Sequence, residues 1–226
     1  MNNKRIGIGF VGGGFITRFH IQSLIGVRNC DVIGVMSRTR SSAEESASLA
    51  RTIGVGDAKV YDTVTDMVMD ANINALWICA PNFTRIEIME EIVSVIESGK
   101  GELIGVTCEK PLGRNVKEAK KVLELTQRVG LLDGYLENQV FAPSVTRGRE
   151  IIWERGAKTT GRPYLARAAE EHSGPHMPWF WEGELQGGGV LNDMMCHSVE
   201  EARFMLTEPG RSRDTLTPLS VNAYAS

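Results

Sequence analysis

Apolar residues recur with two different periods along the first 135 residues. Six short runs rich in Val, Ile and Leu read as strands: Ile6–Val11, Asp31–Met36, Lys59–Tyr61, Ala75–Cys79, Leu103–Cys108 and Leu131–Tyr135. Between them the spacing is helical. Thr84–Glu97 puts Ile86, Met89, Val93 and Ile96 on one stripe, with Gly99 beyond it. Ser42 with Glu45 has the spacing of a capping box and predicts a helix over Ala43–Arg51. Asn115 with Glu118 does the same for Val116–Val129, which Gly130 can close. Strands alternating with helices make βαβ units, and these predict a parallel sheet covered on both faces.

The pattern changes after Tyr135. A helix is expected over Pro143–Arg155, stopped by Gly156, and a strand over Arg162–Glu171. His172–Gln186 reads as an aromatic loop holding Trp179, Phe180 and Trp181. Gly187-Gly188-Gly189 leads into a helix over Val190–Leu206, and Leu219–Ala225 looks like a strand. These elements are too few to close a core. The expected division is therefore a dinucleotide-binding domain over 1–136 and the start of a second domain over 137–226, with more chain to follow.

Composition narrows the function. With 226 residues and 42% apolar content, the chain can bury a real core. A net charge of −3 carries no basic footprint, so nucleic acid is not an expected partner. No apolar run approaches the ~20 residues of a membrane helix. The N-terminus lacks the apolar stretch of a signal peptide, so a cytoplasmic location is expected. Cys30, Cys79, Cys108 and Cys196 are far apart and read as reduced thiols. His172 and His176 have a zinc-like spacing, but Gly174-Pro175 excludes the helix it needs, and no metal is expected. Cys196 beside His197 is discounted as a nucleophile pair, because neighbours in a helix point about 100° apart.

The glycines of RIGIGFVGGGFIT allow two registers of a phosphate-binding turn. Gly7, Gly9 and Gly12 match G-x-G-x-x-G in full; Gly12, Gly14 and Thr17 match it with threonine in the third place. The first register would start a helix across three successive glycines, each costing ~1 kcal/mol relative to alanine. The second puts a strand at Ile6–Val11, the turn at Gly12–Gly14 and a glycine-free helix from Phe15 to Ile25. It is the register expected to bind a diphosphate, on Gly12, Gly14 and the amides at the helix front, Phe15 and Ile16. The end of the second strand carries Ser37 and Arg38 in place of the acid that holds an NAD ribose. Arg38 can pair with a 2′-phosphate, which favours NADP over NAD.

Two further groups suggest chemistry. Glu109-Lys110-Pro111 and Ala80-Pro81-Asn82 each follow a strand, the edge where ligands sit in such sheets. Lys110 there is either a surface lysine or a group aimed at the cofactor crevice. Asp193 and His197 are four apart in the expected last helix, opposite a stripe of Leu191, Met194, Met195, Val199, Ala202 and Leu206. They form either a solvated polar face or an acid–base pair facing a nucleotide, with Asp193 orienting the imidazole or binding substrate. His20, in the first helix, is expected to be structural. Trp153, Trp179, Trp181, His172 and His176 are candidates for a sugar pocket or for core and subunit contacts.

GFVGGGFITRFH, ICAPNFTR, CEKPLG, GYLENQVF and GGGVLNDMMCH, in this order, resemble the Gfo/Idh/MocA oxidoreductases over nearly the whole chain. The resemblance implies a Rossmann domain followed by an α/β domain with an open, mostly antiparallel sheet that packs against another subunit in a homo-oligomer. It implies hydride transfer between NAD or NADP and a sugar, polyol or related carbonyl. It assigns Lys110 to the substrate hydroxyl and nicotinamide ribose, and Asp193 with His197 to the D-x-x-x-H pair whose histidine carries the proton. Pro81, Asn82, Glu109 and Asn138 match positions around the cofactor. Arg85 stands where the family often has histidine, in P-N-x-x-H, and takes that cofactor position. The resemblance implies that the Lys110–Pro111 bond is cis. A regulatory nucleotide sensor and an inactive cofactor-binding fragment are the alternative functions on this scaffold.

Overall fold

The structure is a computed structural model and describes residues 5–171, 173–175 and 177–224. His172 and His176 lie outside the described residues. Six parallel strands form one sheet: β1 Ile6–Val11, β2 Cys30–Met36, β3 Lys59–Tyr61, β4 Ala75–Ile78, β5 Gly105–Glu109 and β6 Leu132–Leu136. Their order is β3-β2-β1-β4-β5-β6, the doubly wound arrangement in which the winding reverses between β1 and β4. The connections are α1 Phe15–Ser23, α2 Arg40–Thr52, α3 Val64–Met69, α4 Arg85–Glu97 and α5 Val116–Arg128.

The centre of the sheet is buried on both faces because β1 and β4 are apolar on both. Ile8 and Phe10 of β1 pack with Ile21, Val32, Val35, Ala43, Ala47 and Ala50 on the α1–α2 side. Val11, Leu76 and Ile78 pack with Met67, Ile73, Met89 and Ile92 on the other. Gly7 and Gly9 lie inside β1. A Cβ on Gly9 would stand 2.5 Å from the Met67 methyl and 2.7 Å from Leu76 Cδ2. These two glycines let neighbouring groups approach the strand, so the full G-x-G-x-x-G match is a packing pattern.

Helix starts are where sequence and structure differ most. Asn115 caps α5 as expected, its side chain accepting from the Glu118 N–H at 3.0 Å. Glu118 does not reach back to Asn115; its carboxylate accepts from the Arg114 N–H at 2.8 Å. The Ser42 cap does not form. α2 begins at Arg40, and the Ser42 and Ala43 N–H groups donate to the Thr39 carbonyl. α3 was not expected. Its sign is Thr63, whose hydroxyl accepts from the Asp66 N–H at 3.0 Å.

Among the described residues, 5–136 and 177–192 form one compact unit, and 137–175 with 193–224 another. In the second, α6 Pro143–Ile151 runs through a π-helical turn, Ile152–Gly156, into α7 Ala157–Thr160. Gly156 keeps helical angles, and the stop is Gly161, at φ 89°. α8 Gly183–Gln186 and α9 Gly189–Asp193, up to Asn192, belong to the first unit, and α10 Met195–Leu206 to the second. From α6, Arg149 donates to the Thr207 carbonyl at 2.7 Å and its guanidinium lies 4.3 Å from the centre of the Phe204 ring. Trp153 donates to the Met205 carbonyl at 2.9 Å, so both side chains satisfy the open end of α10. The strands expected at Arg162–Glu171 and Leu219–Ala225 carry no ladder over their described residues, 162–171 and 219–224. A strand needs a partner for its N–H and C=O groups, and among the described residues none pairs with these segments. No helix of the described residues is long and apolar enough to cross a membrane.

Candidate active site

Parallel pairing brings the carboxyl ends of the strands to one edge. Val11 is opposite Met36 of β2 and Ile78 of β4, and Ile78 is opposite Cys108 of β5. The turn after β1, Ser37 and Arg38 after β2, Ala80-Pro81-Asn82 after β4 and Lys110 after β5 therefore follow side by side. Gly12 has φ 109° and donates its N–H to the Met36 carbonyl at 2.7 Å. Gly13 packs on α2, where a Cβ would stand 2.7 Å from the Ser42 carbonyl carbon. Gly14 is the N-cap of α1, exposed, with nothing within 4 Å of an added Cβ. Phe15 and Ile16 open the helix, whose first turn holds no acidic residue. Thr17 is buried and its hydroxyl donates to the Gly12 carbonyl at 2.7 Å, tying the helix to the turn.

The closeness of the turn to β4 sets a first prediction. A side chain on Gly12 meets the Ala80 nitrogen at 2.7 Å and the Cys79 carbonyl carbon at 2.8 Å, at a left-handed φ. Gly12→Val is expected to cost at least ~2 kcal/mol, from backbone strain and overpacking together. Gly14→Ala, with open space and φ −79°, is expected to stay within ~1 kcal/mol of wild type. Urea unfolding midpoints of the two variants check the contrast.

The lysine turn is built from buried charge. Lys110–Pro111 is cis. Glu109 is buried; one carboxylate oxygen meets His20 Nε2 at 2.6 Å and the other accepts the Lys110 N–H at 3.0 Å. His20 also meets the edge of Trp77, with ring centroids 5.1 Å apart. Arg85, only 2% exposed, donates through Nη1 to the carbonyls of Glu109 and Pro111, on either side of Lys110. Burial lowers the Arg85 pKa, while the Cys108 and Glu109 side chains oppose that fall. Arg85 and Glu109, both expected near the cofactor, are thus turned inward onto the lysine turn and offer a nucleotide no exposed surface. Asn82 is buried as well, and its amide donates to the Gln186 carbonyl at 2.9 Å. The Cys79 and Cys108 thiols are pushed up by burial, Cys108 to about 11, which makes them inert.

The expected last helix is interrupted. α9 ends at Asp193, Met194 is the break, and His197 belongs to α10. Burial is the reverse of what the stripe predicts. Asp193 is 8% exposed and His197 4%, whereas Leu191, Met195 and Val199 are 41%, 42% and 50% exposed. For His197 the reason is a partner. Its Nδ1 bonds Glu137 Oε1, and a buried imidazole so matched pays little for leaving water. Glu137 is the residue the sequence reading missed. It sits in GYLENQVF beside Asn138, which is exposed and precedes the turn Gln139–Phe141 without a side-chain cap bond. No short-range spacing links Glu137 to a histidine 60 residues on.

The remaining candidates are scattered. Arg38 is exposed and its Nη2 pairs with Glu87 Oε2 at 3.0 Å. Trp179 stacks on Phe180 at 3.8 Å and meets the edge of Phe83 at 5.7 Å, while Trp181 is exposed. Trp153 serves the α10 terminus, as described.

A doubly wound sheet in this strand order, with a glycine turn at its winding reversal, is the Rossmann arrangement. The sequence matches the oxidoreductase family with NAD-binding Rossmann fold over residues 6–133, and the Gfo/Idh/MocA C-terminal domain over 155–217. The chain belongs to the Gfo/Idh/MocA oxidoreductase family. It is 28% identical over 202 residues to 1,5-anhydro-D-fructose reductase of Ensifer adhaerens, covering 88% of this chain and 56% of the relative. It is 24% identical to myo-inositol 2-dehydrogenase of Thermotoga maritima, over 89% of this chain and 55% of that one. GenD2 from gentamicin A biosynthesis, solved in complex with NAD, superposes with a TM-score of 0.74 at 28% identity, over 91% of this chain and 55% of its own. The chain spans about half the length of the curated relatives it matches.

Proposed function

We propose that the protein is an NAD(P)-dependent oxidoreductase that transfers hydride between a nicotinamide cofactor and a CH–OH or carbonyl group of a sugar or polyol. The observation that carries this reading is Lys110, held after β5 on the same sheet edge as the Gly12–Gly14 turn. That edge, at the winding reversal, is where such sheets bind ligands. The residues present fit a dinucleotide. Gly12 permits the close turn, Gly14 leaves the approach to the α1 amides clear, and no carboxylate opposes phosphate in the first turn. Ala80, Pro81 and Asn138 complete the assignment around the cofactor, while Asn82 is turned inward onto the Gln186 carbonyl.

When bound, the nicotinamide supplies the hydride donor or acceptor. The chain's own residues do the rest. Lys110 binds and polarises the reacting hydroxyl, Asp193 binds substrate, and His197 takes or returns the hydroxyl proton. NADP is the preferred form in this reading, since β2 ends in Ser37 and Arg38. A 2′-phosphate displaces Glu87 from Arg38 at small cost, because an exposed pair is worth under ~1 kcal/mol. The reading extends to an open, mostly antiparallel sheet in the second domain and to a homo-oligomer packed through it, with residues 155–217 as its start.

Fluorescence titration with NADPH and NADH, followed by a panel of inositols, aldoses and anhydro sugars, tests it. Saturable binding, tighter for NADPH, with turnover of at least one sugar or polyol is the expected result. No binding of either nucleotide ends the reading; tighter NADH binding ends the NADP preference.

A further inference from the structure

The Glu137–His197 pair has the geometry of a carboxylate that fixes an imidazole. Both side chains are 5% exposed. Glu137 is itself held: Oε1 accepts the Gln139 N–H at 3.2 Å and Oε2 the Val140 N–H at 3.4 Å, at the start of the turn Gln139–Phe141. His197 is anchored by its own N–H, which donates to the Met194 carbonyl at 3.1 Å in the first turn of α10. A carboxylate only accepts, so Nδ1 must be the protonated ring nitrogen. The neutral imidazole then presents an unprotonated Nε2.

We propose that Glu137 is the positioning residue of the acid–base group: it holds the proton on His197 Nδ1 and leaves Nε2 as the atom that exchanges a proton with the substrate hydroxyl. This rests on the reading of His197 as the proton carrier. In the oxidising direction the substrate O–H bond breaks and an N–H bond forms at Nε2. The hydride from the same carbon leaves to the oxidised nicotinamide, and a C=O bond forms. The imidazolium so produced keeps its Nδ1–H on the Glu137 carboxylate, which stabilises the new charge. In the reducing direction Nε2 returns the proton to the nascent alkoxide. Asp193, assigned to the orienting role or to substrate by the sequence, is then left with substrate. Glu201, four residues after His197 on α10, is a second nearby carboxyl, raised by burial and by the Glu137 and Glu170 charges.

The test reads the tautomer directly. In protein labelled with ¹⁵N-histidine, long-range ¹H–¹⁵N correlation spectra resolve the ring nitrogens of the four histidines, and His197→Ala assigns the signal. Wild type is expected to show His197 as the Nδ1–H tautomer. Glu137→Ala is expected to release it toward the Nε2–H form and to lower kcat by ~10²-fold with KM little changed. Glu137→Gln, which folds in the same space and keeps an acceptor oxygen, is expected to retain the tautomer and recover part of kcat. A wild-type Nε2–H signal, or one unmoved in Glu137→Ala, overturns the proposal. Full turnover by His197→Ala overturns the reading beneath it and leaves the tautomer result standing, so the two failures are distinct.

Discussion

Lys110→Ala is expected to lower turnover by ~10²–10⁴-fold, the contribution of one positioned acid–base or polarising group. Nucleotide affinity should fall far less than turnover, because in the proposed reading the turn after β1 and the front of α1 carry the diphosphate. Stability should fall less than turnover, because Glu109 and Arg85 fasten the backbone of the turn. The measurement is kcat and KM on the best substrate of the panel, beside NADPH titration of the same variant. A fall in both kcat and kcat/KM by the same factor assigns Lys110 to the reacting group. A variant that turns over like wild type removes the lysine from the chemistry.

Arg85→Met carries the largest expected loss of stability, about 2–4 kcal/mol. Methionine fills much of the same volume, so the cost is not a cavity. The carbonyls of Glu109 and Pro111 lose a charged donor in a place water does not reach, and each unmatched acceptor costs ~1–3 kcal/mol. Relief from burying the guanidinium offsets part of that sum. The urea midpoint should fall with the slope unchanged. Arg85→Lys, with one ammonium in place of a fork, should lie between. A methionine variant as stable as wild type would mean that those carbonyls do not depend on Arg85.

The doubly wound half was legible because each of its signals is local. Strand runs, the Asn115 cap and the choice of turn register follow from periodicity and from the cost of glycines in a helix, and they fall within a few residues of the observed elements. The lysine turn was legible as a position but not as a network. His20, Arg85 and Glu109 meet from α1, α4 and β5, and no spacing rule relates residues 89 apart. The end of the chain shows the opposite failure. A stripe drawn at 100° per residue assumes an unbroken helix, and the break at Met194 voids it. The polar pair then lies inside and the apolar residues outside, since Glu137, from a distant turn, makes burial of His197 affordable. The strands looked for at 162–171 and 219–224 had suitable composition, but composition does not supply a neighbour to bond with.

The choice of arginine at position 85 has a consequence for acidity response. A guanidinium has no neutral form across the range in which proteins work. A histidine in that place would lose one of its two N–H donors as the medium turned alkaline. With Arg85, the hold on the carbonyls either side of Lys110 stays the same through every working pH, and only the Glu109–His20 side of that turn can respond to acid.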